Sequence, residues 1–230
     1  IIRLAENLER PLPRDTLARI LGIGADLTIG ALAASVLMGG EEELVADLVP
    51  LLLASGPNDS KAGEALARLR LDRRDHRLLA GLEKVLLTGK AAKAPFSAKI
   101  DTFPTKGLAG GAAAGLMPRL QSLMLRVEAA RPLRLALRAM EQTATLHRFA
   151  AAFLPRLRAR KAARGWLDFD DLIHKAAALL SDRSVAAWVL FRLDGGIDHI
   201  LVDEAQDTSP AQWAVIERLA EEFTAGEGAR

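Results

Sequence analysis

An Asp-Glu pair near the end of the chain is the part of this sequence best suited to chemistry. Asp203 and Glu204 directly follow the apolar run 200–202, and Gln206 and Asp207 come after one alanine. The hydrolysis of a nucleoside triphosphate needs one carboxylate to hold Mg²⁺, usually through water, and another to orient and deprotonate the attacking water. Two adjacent acids at the end of an apolar strand supply both, so the pair predicts a nucleotide-hydrolysis site. The alternative is that the two acids only end a strand and begin a loop.

A strand before the acids and a helix after them are the elements expected to position this pair. The segment Ile197–Val202 is the one convincing strand, and residues 200–202 are apolar on both faces, as in a central parallel strand. Ligands bind beyond the carboxyl ends of such strands. Ser209 and Gln212 form a capping-box pattern with proline at the first helical position, which predicts a helix from about Pro210 to Glu222.

The composition predicts helices for most of the remaining chain. The 230 residues are rich in Ala and Leu, contain no Tyr and include only seven Phe and three Trp. Ala and Leu are strong helix formers, whereas strands favour the scarce aromatic and β-branched residues. We therefore expect a mainly α fold and exclude a β-sandwich or barrel. Half of the residues are hydrophobic, which is enough for a core.

Turn signals divide the predicted helices. The stretch 89–115, rich in glycine, proline and lysine, is expected to be an irregular surface loop. Pro155 is expected either to kink the preceding helix or to begin the next one. The predicted helices are Asp15–Leu21 and Ser60–Leu71, each capped by its first residue, then Asp75–Thr88, Pro118–Ala130, Pro132–Leu154, a helix capped by Asp168, and Val185–Leu193.

Charge is segregated along the chain although the net charge is only +2. Residues 119–164 carry eleven Lys or Arg against two acids, while residues 165–230 carry thirteen acids against five bases. A basic helical segment is attracted to polyphosphate. The candidate contacts with DNA phosphates are a stripe at i, i+4 and i+8, Arg156, Arg160 and Arg164, followed by Arg131, Arg134 and Arg138. The alternative is a solvated helix face that pairs with the acidic tail.

Several chemistries are excluded by what the sequence lacks. There is no cysteine, which rules out disulfides, thiolate zinc sites and cysteine nucleophiles. Gly89-Lys90 has no glycine at position 84 and no hydroxyl at position 91, so it is not a phosphate-binding P-loop. No apolar stretch is long enough to span a bilayer. Because the chain begins Ile1-Ile2-Arg3 without methionine, we expect it to be a piece of a longer protein.

Two linked stretches resemble motifs of a known family. The string ILVDEAQDTSPAQW, which begins at Ile200, resembles motif II of superfamily 1 DNA helicases, the group containing UvrD, PcrA, Rep, RecB and AddA. GWLDFDDLI, which begins at Gly165, is similar to the segment that precedes motif II in these enzymes. Together with the neighbouring LDGGIDHILV and the tail EEFTAGEGAR, the motif is most similar to AddA-type helicase–nuclease subunits.

The resemblance implies roles for the acidic motif. Asp203 matches the aspartate associated with Mg²⁺, and Glu204 matches the residue that activates water for ATP hydrolysis. Gln206 and Asp207 match positions that couple the nucleotide state to neighbouring helicase motifs. ATP and Mg²⁺ are thus the expected cofactors of the full-length protein. Because this chain has no P-loop, we expect it to bind neither tightly and to be inert alone.

The resemblance also implies a domain organisation and partners. Residues 1–164 are expected to form a mostly helical 1B-like subdomain, and residues 165–230 a strand-plus-helix portion of the RecA-like α/β motor domain 1A. The expected partners are single-stranded and duplex DNA and an AddB-like subunit, in the bacterial cytoplasm at the nucleoid, with no membrane. The rival interpretations are a UvrD- or PcrA-type helicase without a nuclease, and a helical binding module without catalysis.

Overall fold

The computed structural model divides the chain into two compact units, Ile1–Leu154 and Pro155–Arg230. It describes residues 11–182, 188, 189, 192 and 199–224. The predicted helix Val185–Leu193 and the tail after residue 224 lie largely outside these residues. The boundary between the units falls ten residues before the predicted domain boundary at position 164, inside one continuous helix.

Helices account for nearly all regular structure in the described part of the chain, which confirms the mainly α prediction. None of them is long and apolar enough to cross a membrane. Short 3-10 turns cover Ala114–Leu116 and Ala205–Asp207. The α-helices are α1 (Arg14–Ile20), α2 (Ile29–Val36), α3 (Glu41–Leu53), α4 (Pro57–Ala67), α5 (His76–Leu86), α6 (Lys106–Gly110), α7 (Met117–Arg164), α8 (Phe169–Ser181) and α9 (Pro210–Thr224).

The core of the first unit is built from helix faces with the expected periodicity. Leu44, Leu48 and Leu52 form one buried row on α3. On α7 the buried positions recur every three or four residues from Leu120 to Met140. α3 packs closely on α4, since a Cβ added at Gly63 would lie 3.0 Å from the Leu52 Cβ.

Two predicted helix caps in the first unit are wrong, and the cap of α5 is one that the sequence interpretation did not name. Asp75 caps α5, because its carboxylate accepts hydrogen bonds from the backbone N–H groups of Arg77 and Leu78. Asp15 instead lies in the first turn of α1, after Pro13. Ser60 lies inside α4, because Pro57 already occupies the first helical position, where its missing N–H has no cost.

α7 runs through Pro132, which was expected to begin a new helix, and through Pro155, which was expected to kink the helix or to begin the next one. Its 48 residues include Pro132 and Pro155, so the two separate helices predicted before Pro155 are a single helix. An interior proline removes one backbone hydrogen bond. The buried positions Ala130, Arg134 and Leu137 continue in register across Pro132, so packing against the core keeps the helix intact there.

The segment 89–115 is largely irregular, as predicted, but it is not only a surface loop. Its backbone pairs with the end of α5 at an isolated antiparallel bridge between Leu87 and Ala98. Phe103, which precedes a cis peptide bond to Pro104, and Ala113 are buried in the core. The segment therefore contributes apolar side chains to the first unit.

The second unit lacks the predicted strand over the residues that the structure describes. Residues 199–202 have no strand partner, and Leu201 is 97% exposed; Ile197 and Asp198 lie outside the described residues. A parallel strand exists only when neighbouring strands satisfy its backbone groups, and no described segment supplies one. α8 and α9 pack together and leave an apolar groove of about 460 Å³, lined by Leu172, Ile173, Ala176, Val215 and Ile216 among others.

Candidate functional site

The acidic motif forms a tight, exposed turn before α9. Asp203 Oδ1 accepts a hydrogen bond from the Glu204 backbone N–H at 2.9 Å. Glu204 has a φ of +49°, a left-handed conformation that costs energy for a residue other than glycine. The chain then enters the 3-10 turn, where Asp207 N donates to Glu204 O at 2.8 Å. Hydrogen bonds on both sides of Glu204 thus hold its strained backbone.

The side chains of this turn are also linked. The Gln206 side-chain amide donates a hydrogen bond to Glu204 Oε2. Asp203, Glu204, Gln206 and Asp207 are all exposed to solvent. The structure therefore brings Asp203, Glu204 and Gln206 into one hydrogen-bonded turn, while Asp207 takes part through its backbone.

The turn is anchored to α9 by the predicted capping box. Ser209 N donates to Gln212 Oε1 at 2.7 Å, and Gln212 N donates to Ser209 Oγ at 3.3 Å. Two N–H groups at the start of the helix are thereby satisfied. This local arrangement fixes where the acidic turn ends and α9 begins, which is the position expected from the sequence.

The donor set of the turn suits a cation that arrives with a phosphate ligand. No group of three or more His, Asp or Glu residues that could hold a metal occurs in the described ranges. Mg²⁺ prefers oxygen ligands, keeps several waters and is usually bound by one or two carboxylates together with substrate phosphates. The exposed carboxylates of Asp203 and Glu204 fit that pattern and do not form a closed protein site for a metal.

The second recognised segment, at Gly165, forms a compact junction between α7 and α8. Gly165 has a φ of +65°, and Trp166 N donates to Lys161 O at 3.0 Å, which closes the end of α7. Asp168 then caps α8 in a reciprocal capping box with Asp171, which confirms the predicted cap.

Lys161 is a partner of this junction that the sequence interpretation missed. Its Nζ lies 2.7 Å from Asp168 Oδ2 and also forms an ion pair with Asp171. Hydrogen bonds to Asp168 and then to Asp171 raise the pKa of Lys161, and the bonds from Lys161 lower the pKa of both aspartates. The available signal was a lysine seven residues before an expected helix cap, on the last turn of the preceding helix.

The arginine stripe at the end of α7 is exposed. Arg156 and Arg160 form no ion pair with any residue that the structure describes. Arg164 lies over the Trp166 ring, with its guanidinium carbon 4.6 Å from the ring centroid. Arg156 and Arg160 therefore remain accessible candidates for phosphate contacts, while Arg164 already has an aromatic partner.

The other three candidate arginines lie in different environments. Arg134 is buried and binds Glu83 through two nitrogens, one of them at 2.8 Å. Arg131 binds the same carboxylate at 2.5 Å and covers the Phe96 ring. These two arginines neutralise Glu83 inside the first unit, and this pairing argues against the predicted DNA contacts at both positions, which stay predictions. Arg138 is exposed and stays a candidate.

Comparison with known proteins adds two findings. The sequence model of the UvrD/REP helicase N-terminal domain matches residues 64–225 of this chain. The RecBCD enzyme subunit RecB of Mycolicibacterium smegmatis is 42% identical over 71 residues, which make up 31% of this chain and 6% of that protein. The match thus spans a small part of the length of this relative. No solved structure matches the chain significantly.

Proposed function

Because the chain belongs to the UvrD/REP helicase N-terminal domain family, we propose that it carries the ATP-hydrolysing carboxylates of a DNA helicase. The observation that carries this proposal is the exposed turn in which Asp203, Glu204 and Gln206 are linked by hydrogen bonds. In such enzymes ATP hydrolysis drives movement along DNA, and a carboxylate open to solvent can receive both water and a nucleotide.

Each residue of the turn has a proposed role. Asp203 holds Mg²⁺ through its carboxylate, and Glu204 orients and deprotonates the attacking water. Gln206 positions the Glu204 carboxylate, and Gln206 and Asp207 transmit the nucleotide state to neighbouring parts of the motor. Mg²⁺ bound together with ATP would neutralise part of the negative charge of the phosphates.

Residues 1–164 are assigned to a 1B-like subdomain and residues 165–230 to part of motor domain 1A. The helical first unit and the basic α7 support the first assignment. The acidic turn and the capped helices α8 and α9 support the second. The remaining strands of the motor sheet, which residues 199–202 would need as partners, come from other parts of the protein in this proposal.

The finer identity that we propose is an AddA-type helicase–nuclease subunit, acting in double-strand break repair and recombination with an AddB-like partner. The stretch that is 42% identical to RecB favours this over a nuclease-free UvrD- or PcrA-type helicase. Its substrate would be chromosomal DNA in the cytoplasm. Nuclease assays of the intact polypeptide on linear duplex DNA separate the two interpretations, since only the first expects cleavage.

Steady-state ATP hydrolysis by the intact polypeptide tests the central proposal. We expect Glu204→Gln to lower the DNA-stimulated kcat by about 10²-fold or more, because it removes the general base. Asp203→Asn should raise the Mg²⁺ concentration needed for activity. Glu217→Gln, the same substitution at an exposed position on α9, is the control and should leave kcat unchanged.

An unchanged kcat in Glu204→Gln would overturn the catalytic role of Glu204, and an intact wild-type polypeptide that hydrolyses no ATP would favour a helical binding module. For the 230-residue chain alone, which lacks a P-loop, we expect no ATP turnover with or without single-stranded DNA. Turnover by this chain that Glu204→Gln abolishes would contradict that expectation.

A further inference from the structure

The end of α7 is fastened to the start of α8 by one lysine. Lys161 Nζ lies 2.7 Å from Asp168 Oδ2 and also forms an ion pair with Asp171. The backbone oxygen of Lys161 accepts the hydrogen bond from Trp166 N, at 3.0 Å, that closes α7. The lysine side chain is only 18% exposed. Lys161 therefore holds the junction through both its backbone and its side chain.

The capping box of α8 brings two carboxylates close together, and Lys161 lies between them. Asp168 Oδ1 accepts a hydrogen bond from Asp171 N at 2.9 Å, and Asp171 Oδ2 accepts one from Asp168 N at 2.9 Å. Lys161 binds the other oxygen of Asp168 and the same oxygen of Asp171. Because like charges at this distance repel each other, loss of the ammonium group would leave the first turn of α8 with an uncompensated repulsion.

α8 in turn packs on α9 beside the acidic turn. The groove between the two helices is lined by Leu172 of α8 and, on the other side, by Thr208 and Gln212 among others. Gln212 is also the residue that forms the capping box of α9 with Ser209. The placement of α8 thus bears directly on the residues at which the acidic turn ends.

A continuous series of contacts therefore joins the last turn of α7 to the acidic turn. It consists of the ion pairs of Lys161, the packing of α8 on α9 and the capping box at Ser209, all within the second unit. Coupling between distant sites is carried by ion pairs, packed side chains and rigid helices of this kind. Arg156 and Arg160, the exposed candidates for phosphate contacts, lie on the turns of α7 just before Lys161.

We propose that Lys161 is a positioning residue for ATP hydrolysis, which fixes α8 and α9 to the end of α7 and so couples DNA bound there to the placement of Glu204. This inference rests on the proposed function, because it takes Glu204 to be the general base. Lys161 acts through Asp168 and Asp171 and takes no part in the chemical step.

The other role open to a lysine on this basic helix is a direct contact with phosphate. Lys161 Nζ is already bound by two carboxylates, and its side chain is largely covered. Hydrogen bonds to Asp168 and then to Asp171 raise the pKa of Lys161, which keeps the lysine charged and paired. Its charge is therefore used within the protein, and the internal role is favoured.

Steady-state ATP hydrolysis by the intact polypeptide, without DNA and at saturating single-stranded DNA, tests the inference. Lys161→Met removes the charge but keeps a long side chain, and the ratio of DNA-stimulated to basal kcat should fall by about fivefold or more. Misfolded protein lowers both rates equally, so a merely structural defect leaves this ratio unchanged. The KM for ATP should also be unchanged, and Lys161→Arg, which keeps the charge, should retain the wild-type ratio.

A double-mutant cycle shows whether the ion pairs carry the effect. Asp171→Asn should cause little further loss of the ratio once Lys161→Met is present, because the partner of the aspartate has already gone. Lys175→Met is the matched control, since Lys175 is an exposed lysine of α8, and it should leave the ratio unchanged.

A wild-type ratio in Lys161→Met would overturn the inference even if its melting temperature falls, because Lys161 would then only stabilise the fold. A wild-type ratio reached only at a higher DNA concentration would overturn it too, and would identify a phosphate contact. Stimulation that Glu204→Gln abolishes and Lys161→Met spares would contradict this inference alone. An intact wild-type polypeptide without ATP turnover would overturn the proposed function as well, so the two failures are distinguishable.

Discussion

At the scale of single residues, one buried carboxylate, that of Glu83, forms ion pairs with two arginines. Glu83 is only 8% exposed and binds the guanidinium groups of both Arg131 and Arg134. Arg134 is itself only 5% exposed. Arg134 occupies a position of α7 whose neighbours at Ala130 and Leu137 face the core. An arginine at such a position requires a partner, because an uncompensated buried charge is strongly destabilising.

Glu83→Gln should therefore destabilise the first unit. Removing one partner of a buried ion pair costs about 3–5 kcal/mol, and the amide leaves the charge of Arg134 unneutralised. Urea unfolding followed by far-UV circular dichroism measures the change. Glu64→Gln is the control, since Glu64 and Arg68 form an exposed pair at 3.6 Å that contributes at most about 1 kcal/mol. Equal effects of the two substitutions would contradict this account.

At the scale of elements, a single aspartate ties the irregular segment to α4. Asp59, 1% exposed in the first turn of α4, accepts hydrogen bonds from Thr105 N at 3.1 Å, Thr105 Oγ1 at 2.6 Å and Ser55 Oγ at 2.8 Å. Burial alone raises the pKa of Asp59, but the bonds from Thr105 and Ser55 outweigh it and hold the pKa below its ordinary value of 3.8.

This lowered pKa makes stability depend on pH. Because the folded pKa lies below the unfolded one, the contribution of Asp59 is complete above the unfolded pKa and is lost as pH falls through the folded pKa. Asp59→Asn should cost about 1–3 kcal/mol at pH 7, since its amide N–H groups face other donors. The difference in free energy of unfolding between wild type and Asp59→Asn should shrink below pH 3.8.

Urea unfolding at a series of pH values from 7 to 3 measures this dependence. Asp101→Asn, at an exposed position in the same irregular segment, should leave the free energy of unfolding unchanged at pH 7. If the difference in free energy of unfolding between wild type and Asp59→Asn grows as the pH falls, the pKa of Asp59 is not lowered by folding.

At the scale of the whole molecule, the proposed contact with DNA depends on the segregation of charge along the chain. The net charge of +2 averages a basic segment, residues 119–164, with an acidic one, residues 165–230. Attraction to a polyanion depends on local charge and weakens with salt, so the average carries little information about binding. Arg156 and Arg160 are the exposed members of the basic stripe that have no aromatic partner.

Arg156→Ala/Arg160→Ala should lower the salt slope of DNA binding by about two if both arginines contact phosphates. Titrations with labelled single-stranded and duplex DNA at several salt concentrations measure the slope. Arg68→Ala is the control because Arg68 is an exposed arginine paired with Glu64 on α4. An unchanged slope in the double variant would show that the arginine stripe is an ordinary solvated helix face without phosphate contacts.

Local interactions explain why much of the candidate site was predictable. The capping boxes at Asp168 and Ser209 involve residues three apart, so the sequence contains all the groups that form them. The Asp-Glu motif is likewise contiguous, and α9 begins after it at Pro210, as the sequence predicts. The mainly α composition followed from helix propensity, which also acts over short ranges.

The remaining features depend on partners distant in sequence. Arg134 meets Glu83 across 51 residues, and Thr105 meets Asp59 across 46. Nothing at Arg134 itself indicates burial except its register on α7. The expected strand at 197–202 does not form over its described residues, 199–202. Strand pairing is non-local, and no described segment supplies a partner strand there.

The sequence by itself determined the helical class, the capping boxes at Asp168 and Ser209 and the acidic motif, since each depends on residues within about one helical turn. Only the tertiary structure decided which charges are free. It buried Arg134 against Glu83 and left Arg156, Lys90 and Lys93 exposed to solvent. Burial and pairing of a charge depend on what folding brings beside it, and a linear pattern of charges does not contain that information.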